Sequence, residues 1–333
     1  MKKVSVIGAG SWGTALANVL ADNGYEVWMW SLNQNVVTSI NENHVNSKYL
    51  TTCLLHTSIY ASSNIQEVMK DSKMCLFVVP SHVTREVAKQ VAPYITPNMN
   101  VLHASKGLEN DTFKRISDII SDELSSSCTQ PVCVLSGPSH AEETIKRLPT
   151  TVSIASTDQN QAKVLQKMFA NEYFRVYTNE DIVGVELGGA LKNIVAVGAG
   201  LSDGLGFGDN AKAALLTRGI AEITRLGVAL GAKESTFLGL SGIGDLIVTG
   251  NSQHSRNWKT GKLLAEGKPL HDVLNELGMV AEGVKTTKVA HTLAQKMNID
   301  MPITAELYRI LFEDKDPKSA SLDLMNRHHK SEQ

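Results

Sequence analysis

No two of the four cysteines in this 333-residue chain, Cys53, Cys75, Cys128 and Cys133, have C-x-x-C spacing. A zinc ribbon or a thioredoxin-like dithiol needs that spacing, so neither is expected, and no metal site is expected. Cys75 and Cys133 lie inside apolar, strand-like runs and read as buried thiols. That fits a reducing compartment and a cytoplasmic location. An excess of either charge is also missing. Lys and Arg number 32 against 34 Asp and Glu, a formal net charge of −2. There is no basic field to recruit nucleic acid or an anionic membrane, so a phosphorylated substrate must be met by local cations. The opening "MKKVSVIGAG" holds too few apolar residues before its glycines for a signal-peptide core. Internal repeats and low-complexity segments are absent. Val183 to Leu201 is mostly apolar, but it contains Glu186, Lys192, Asn193 and several glycines. Those residues argue against a membrane span, and no integral membrane contact is expected.

The length suits about two domains. Short apolar runs alternate with helical patterns over the first half. Strands are expected at Lys3–Ile7, Glu26–Trp30, Met74–Val79, Asn100–His103, Val132–Leu135, Thr150–Ser156 and Phe174–Asn179. They are continuously apolar rather than alternating, as expected of a parallel sheet covered on both faces. Past residue 180 the pattern is helical, with "GLSGIGDLIVTGNSQHSRN" as a glycine-rich polar interruption. The expectation is an α/β protein: an N-terminal Rossmann-type doubly wound sheet over 1–182, an all-α C-terminal domain over 183–325, and a flexible tail over 326–333.

"VSVIGAGSWGTALANVLADNGYEVWMWSLN" places Gly8, Gly10 and Gly13 in G-x-G-x-x-G between a strand and a helix. The spacing alone is common; the strand–turn–helix context points to a nicotinamide dinucleotide site, with a flavin or non-nucleotide Rossmann domain as the alternative. Gly8 permits the tight turn, Gly10 lets the backbone approach a pyrophosphate, and Gly13 lets the helix pack on the strand. The helix N-terminus offers free N–H groups to the phosphates. An NAD site usually ends its second strand in Asp or Glu. This strand ends "WSLN", with neither a carboxylate nor an arginine. Ser31 or Asn33 could bond a ribose or a 2′-phosphate, so NADP or NAD is left open.

Three further loops follow strands and therefore lie at the carboxyl edge of the sheet, where ligands bind. They are "VVPSH", "HASKGLEN" with Lys106, and "LSGPSHAEE" with Gly137 and Ser139. Lys106 could pair with a phosphate or be a solvated loop lysine. Lys192 sits in a helix apolar on nearly every face, and a buried amine is costly unless paired or functional. That makes Lys192 a candidate general acid and base, with a structural ion pair as the alternative. Glu186 is too far round the helix for a local pair with it. Asp245 follows a Gly-Ile-Gly that reads as flexible. Arg256 could offer a fork to phosphate, and Glu282 could bind ribose or cap the helix after it.

Taken together, "GAGSWGTALA", "VVPSH", "SKGLE", "SGPSHAEE", "VELGGALKNIVAVGAGLSDGLGFGDNAKAALLTRG", "GIGDL", "SRN" and "VAEGVKTT" resemble the soluble NAD(P)-dependent glycerol-3-phosphate dehydrogenase family. The resemblance runs from residue 3 to about residue 312. It implies reversible hydride transfer between NAD(P)H and C2 of dihydroxyacetone phosphate, giving sn-glycerol 3-phosphate for phospholipid synthesis, in a cytoplasmic homodimer. It implies Lys192 as proton donor and acceptor. Substrate contacts fall to Lys106, Gly137, Ser139, Asn193, Asp245, Thr249, Ser255, Arg256 and Asn257. Cofactor contacts fall to Ser11, Trp12, Lys106, Ala141, Arg256, Val280 and Glu282, beside the glycines and Asn33. Leu32 stands where the family often carries His or Arg. Hydroxyacid and 6-phosphogluconate dehydrogenases share the architecture, but "SRN" and "GIGDL" discriminate against them.

Overall fold

The computed structural model describes residues 2–125, 127–277, 281–328 and 331. The chain divides into two compact units, Met1–Glu186 and Leu187–Gln333. The division falls four residues beyond the expected boundary at 182/183, inside a helix, α3 (Ile182–Gly204). The reason is Glu186, whose side chain is held by residues of the first unit, as described below.

In the first unit the strands are β1 (Lys3–Ile7), β2 (Glu26–Trp30), β3 (Val45–Asn46), β4 (Leu50–Leu54), β5 (Ile59–Ser62), β6 (Met74–Phe77), β7 (Asn100–His103), β8 (Cys133–Ser136), β9 (Thr150–Ala155) and β10 (Phe174–Asn179). Eight of them form one sheet in the order β10-β9-β8-β7-β6-β1-β2-β5. Every pairing in it is parallel except β8 with β9. Successive residues feed opposite faces. Val6, Leu76 and Leu102 enter one apolar cluster. Their neighbours Ile7, Phe77 and Val101 enter the other. This two-sided burial is why the strands read as unbroken apolar runs.

Two elements were not anticipated. The edge strand β5 is short, and its Tyr60 stacks on Trp28 of β2 at 5.4 Å instead of entering a core. The β3–β4 hairpin buries Asn46, whose amide donates to the Ala9 carbonyl (2.9 Å) and to the Thr14 hydroxyl (2.8 Å). The hairpin thus braces the glycine turn from outside it. Helix α1 (Ser11–Asp22) follows that turn, and α2 (Gln34–Asn43) follows β2.

The second unit is helical, with no strand among its described residues. Its helices include α4 (Gly208–Ala229), α5 (Asp245–Asn251), α6 (Arg256–Ala265), α7 (Glu282–Met297) and α8 (Pro302–Phe312). By length and hydropathy α3 could cross a membrane, but 89% of its apolar window is buried inside the protein. Glycine carries the close crossing of α3 and α6. A Cβ on Gly200 would lie 1.9 Å from the Trp258 carbonyl oxygen, and one on Gly261 would lie 1.9 Å from that of Val197. A further helix, Pro317–Met325, was not expected, although Asp316 caps it and proline opens it, the usual start signals. Of the expected tail, residues 329, 330, 332 and 333 lie outside the described residues.

Candidate functional site

The expected site residues fall into two sets, one in each unit. In the first unit Gly8 has φ 120°, and a Cβ there would lie 2.4 Å from the Val78 carbonyl oxygen. A Cβ on Gly13 would lie 2.0 Å from the Gly8 carbonyl oxygen. Both positions exclude any other residue. Gly10 differs: a Cβ there meets nothing within 4 Å. It is the N-cap of α1, no side chain caps that helix, and no acid sits in its first turn. The N–H groups beginning at Ser11 and Trp12 therefore border open space beside a residue without a side chain, which fits a pyrophosphate.

At the end of β2, Asn33 is the N-cap of α2. Its side-chain oxygen accepts from the N–H groups of Asn35 (3.0 Å) and Val36 (3.3 Å). The Ser31 hydroxyl accepts from the Asn33 N–H at 3.2 Å. Both acceptors are occupied by local backbone, whereas Leu32 is 77% exposed.

The loops after β6, β7 and β8 are tied together. The buried Ser105 hydroxyl donates to the Val79 carbonyl (2.7 Å) and accepts from the Val79 N–H (3.1 Å). One residue on, the Lys106 ammonium donates to the Gly137 carbonyl at 3.5 Å, and the Ser139 hydroxyl donates to the same oxygen at 3.0 Å. Gly137 has φ 148°. A Cβ on it would lie 3.0 Å from Val152 Cα, so glycine is required there too. Lys106, Gly137 and Ser139 thus meet at the carboxyl edge. Ala141 opens the short helix Ala141–Thr144 directly after them.

A buried polar cluster near this edge escaped the sequence reading. Glu186 lies 3.0 Å from His103 Nε2 and 2.6 Å from Arg115 Nη1. It also accepts from the N–H (2.8 Å) and hydroxyl (2.5 Å) of Ser117. Burial pushes this carboxyl up, but His103, Arg115 and Ser117 outweigh burial and hold it below the usual range. His103 and Glu186 were visible as polar residues in apolar runs; nothing local linked them.

In the second unit Lys192 is 5% exposed, Asp245 1% and Thr249 5%. The Lys192 ammonium donates to Asp245 Oδ1 at 2.7 Å and to the Thr249 hydroxyl. The Thr249 hydroxyl donates to the Asp245 main-chain carbonyl at 2.7 Å. The lysine is therefore both buried and paired, and its partner comes from 53 residues along the chain. The segment before Asp245 is a regular turn packed against Phe237. Leu240–Gly244 is a π-helical turn, and a Cβ on Gly242 would lie 2.1 Å from the Phe237 carbonyl oxygen. Gly242 serves close packing.

Beside this pair, Asn257 donates to the Asn193 side chain at 2.8 Å and accepts from the Gly283 N–H at 2.9 Å. Three helices, α3, α6 and α7, are joined through that one amide. Ser255 is the N-cap of α6, accepting from the Trp258 N–H at 3.2 Å. Arg256 and Asn257 therefore lie in the first turn of α6, not ahead of it. Arg256 is exposed, while Ser255 and Asn257 are buried. Glu282 is the first residue of α7 and not part of a loop. Val280 lies outside the described residues.

Family models described as NAD-dependent glycerol-3-phosphate dehydrogenase N-terminus and C-terminus match residues 3–162 and 181–321. The chain belongs to the glycerol-3-phosphate dehydrogenase family. It is 54% identical over 331 residues to a Glycerol-3-phosphate dehydrogenase [NAD(P)+] of Lactococcus lactis subsp. cremoris, covering 99% of this chain and 97% of that one. It is 52% identical to the protein of that name from Macrococcus caseolyticus, over the whole of both chains. A crystal structure of glycerol-3-phosphate dehydrogenase from Coxiella burnetii superposes with a TM-score of 0.93 at 39% identity, covering 98% and 99% of the two chains. This chain is accordingly an NAD(P)-dependent dehydrogenase that interconverts dihydroxyacetone phosphate and glycerol 3-phosphate. Its sheet-plus-helices architecture is the one expected from the sequence.

Proposed function

We propose that Lys192 is the proton donor when the ketone is reduced and the proton acceptor when the alcohol is oxidised. The observation that carries this reading is the buried Lys192–Asp245 pair at 2.7 Å. A carbonyl accepting hydride at C2 becomes an alkoxide, and an ammonium beside it stabilises and then protonates it. Asp245 keeps the ammonium charged in a buried setting, and the Thr249 hydroxyl orients it. When bound, the nicotinamide supplies or accepts the hydride.

Binding is assigned by charge and hydrogen-bond chemistry. Arg256 and the N–H groups at the start of α6 suit a phosphate dianion, with Ser255, Asn257 and Asn193 completing its polar contacts. Lys106, Gly137 and Ser139 contribute a cation and two polar groups at the sheet edge. Gly8, Gly10, Ser11, Trp12 and Gly13 hold the pyrophosphate. Asn33, Ala141, Val280 and Glu282 complete the cofactor contacts, and Lys106 and Arg256 serve both ligands. We further propose NADP or NAD as cofactor, a cytoplasmic homodimer without integral membrane contact, and supply of sn-glycerol 3-phosphate to phospholipid synthesis.

The test is oxidation of NADH or NADPH by dihydroxyacetone phosphate, followed at the reduced-nicotinamide absorbance. Lys192→Ala should lose turnover by a factor of about 100 or more while cofactor binding survives. A near-wild-type rate for that variant would remove Lys192 from the chemistry. Leu32→Arg adds a cation beside the exposed end of β2 and should raise the preference for NADPH. An unchanged ratio of the two cofactors would place the 2′-phosphate elsewhere. Sedimentation velocity reads the oligomeric state.

A further inference from the structure

Asp203 stands at the unfavourable end of its helix. It lies in the last turn of α3, at the negative end of the helix dipole, where a carboxylate is disfavoured. Two donors compensate, both on one oxygen. Trp258 Nε1 of α6 donates to Asp203 Oδ2 at 2.6 Å, and the Lys212 ammonium of α4 donates to it at 2.6 Å. The Trp258 side chain itself is buried, 8% exposed.

The position of Trp258 gives this bond its consequence. It lies two residues after Arg256, in the first turn of α6. The crossing of α3 and α6 is made by backbone against glycine at Gly200 and Gly261. Such a contact sets how close the helices come, but a glycine offers no ridge to stop one helix turning about its axis. Rotation of α6 is set by side chains from the same turn. Asn257 bonds Asn193 at 2.8 Å, and Trp258 bonds Asp203 at 2.6 Å. A slip about the axis would swing Arg256 and the N–H groups beside it away from a fixed point.

We propose that Asp203 and Trp258 are positioning residues that aim Arg256 and the first turn of α6 at the substrate phosphate. They set phosphate affinity without touching substrate. The proposal rests on the assignment of Arg256 to the phosphate.

Trp258→Phe keeps the ring and removes only the N–H. Asp203→Asn keeps an acceptor oxygen and removes the charge. Each would be assayed with dihydroxyacetone phosphate and with dihydroxyacetone, which lacks the phosphate, at saturating NADH or NADPH, with melting temperatures alongside. Losing a hydrogen bond to a charged group should raise KM for dihydroxyacetone phosphate roughly tenfold. Expected with that rise are kcat within about twofold and unchanged kcat/KM for dihydroxyacetone. Equal losses on both substrates, or a lower melting temperature with wild-type KM, would make the role merely structural and overturn the proposal. Arg256→Ala is the control. If it lowers activity on both substrates equally, the phosphate assignment fails. If it discriminates between them while Trp258→Phe and Asp203→Asn do not, only the positioning role fails.

Discussion

Replacing Asp245 by asparagine keeps the shape and an acceptor oxygen but deletes the charge 2.7 Å from the Lys192 ammonium. Both groups are buried, so water screens the loss poorly. Removing an opposite charge at such range lowers an ammonium pKa by ~1–3 units. The reduction needs the ammonium, so kcat/KM for dihydroxyacetone phosphate should fall off at a lower pH in Asp245→Asn than in the wild type. The defect is then pH-dependent and grows as the pH rises. The oxidation of glycerol 3-phosphate needs the free amine, and its rising limb should move down by the same amount. The assay is kcat/KM in both directions as a function of pH, with circular dichroism at each pH to exclude unfolding. An unshifted profile scaled down uniformly would refute the reasoning. It would mean that Asp245 contacts substrate but does not govern the proton on Lys192.

Two further predictions concern folding and cofactor. Burial pushes the Glu222 carboxyl up to about 7, although it accepts from the N–H groups of Ile303 (2.6 Å) and Thr304 (3.1 Å) at the start of α8. A raised carboxyl pKa contributes stability that is full below the ordinary carboxylate value and lost as pH rises through about 7. Glu222→Gln cannot ionise, so its stability relative to wild type should improve by up to roughly 3 kcal/mol over that interval in urea titrations. A gap independent of pH would contradict this. Gly10→Ala and Gly13→Ala should separate binding from folding. The first meets open space and should keep its melting temperature while losing NAD(P)H affinity in fluorescence titration. The second drives a methyl into the Gly8 carbonyl and should destabilise by about 1–3 kcal/mol. Unaltered cofactor affinity in Gly10→Ala would separate the glycine turn from the pyrophosphate.

The sequence by itself determined the centre of the sheet, because the signals for β1, β2, β6 and β7 are local. Unbroken apolar runs, glycines at a turn and helical periodicity act over a few residues, and β1, β2 and β7 end where expected. The same locality placed Gly8, Gly10 and Gly13, put Lys106 and Gly137 after strands, and marked Lys192 as a buried amine. Weak local signals failed. The strand β5 is an edge element with one ring stacked outside the core, and the β3–β4 hairpin is ordered by Asn46 reaching back to Ala9 and Thr14. Gly242 reads as freedom, and its neighbourhood is crowded.

Only the tertiary structure decided who pairs with whom. Lys192 needed a counter-charge, but the sequence could not choose Asp245, 53 residues on, over any other acid. Glu186, too far round its helix to pair with Lys192, closes on His103, Arg115 and Ser117. Asp203 reads as a misplaced acid at a helix end until Trp258 and Lys212 meet on one of its oxygens. In each case the partner is a short-range contact between residues distant along the chain. Burial, which the sequence does reveal, states that a charge must be compensated; chain packing alone selects the group that compensates it.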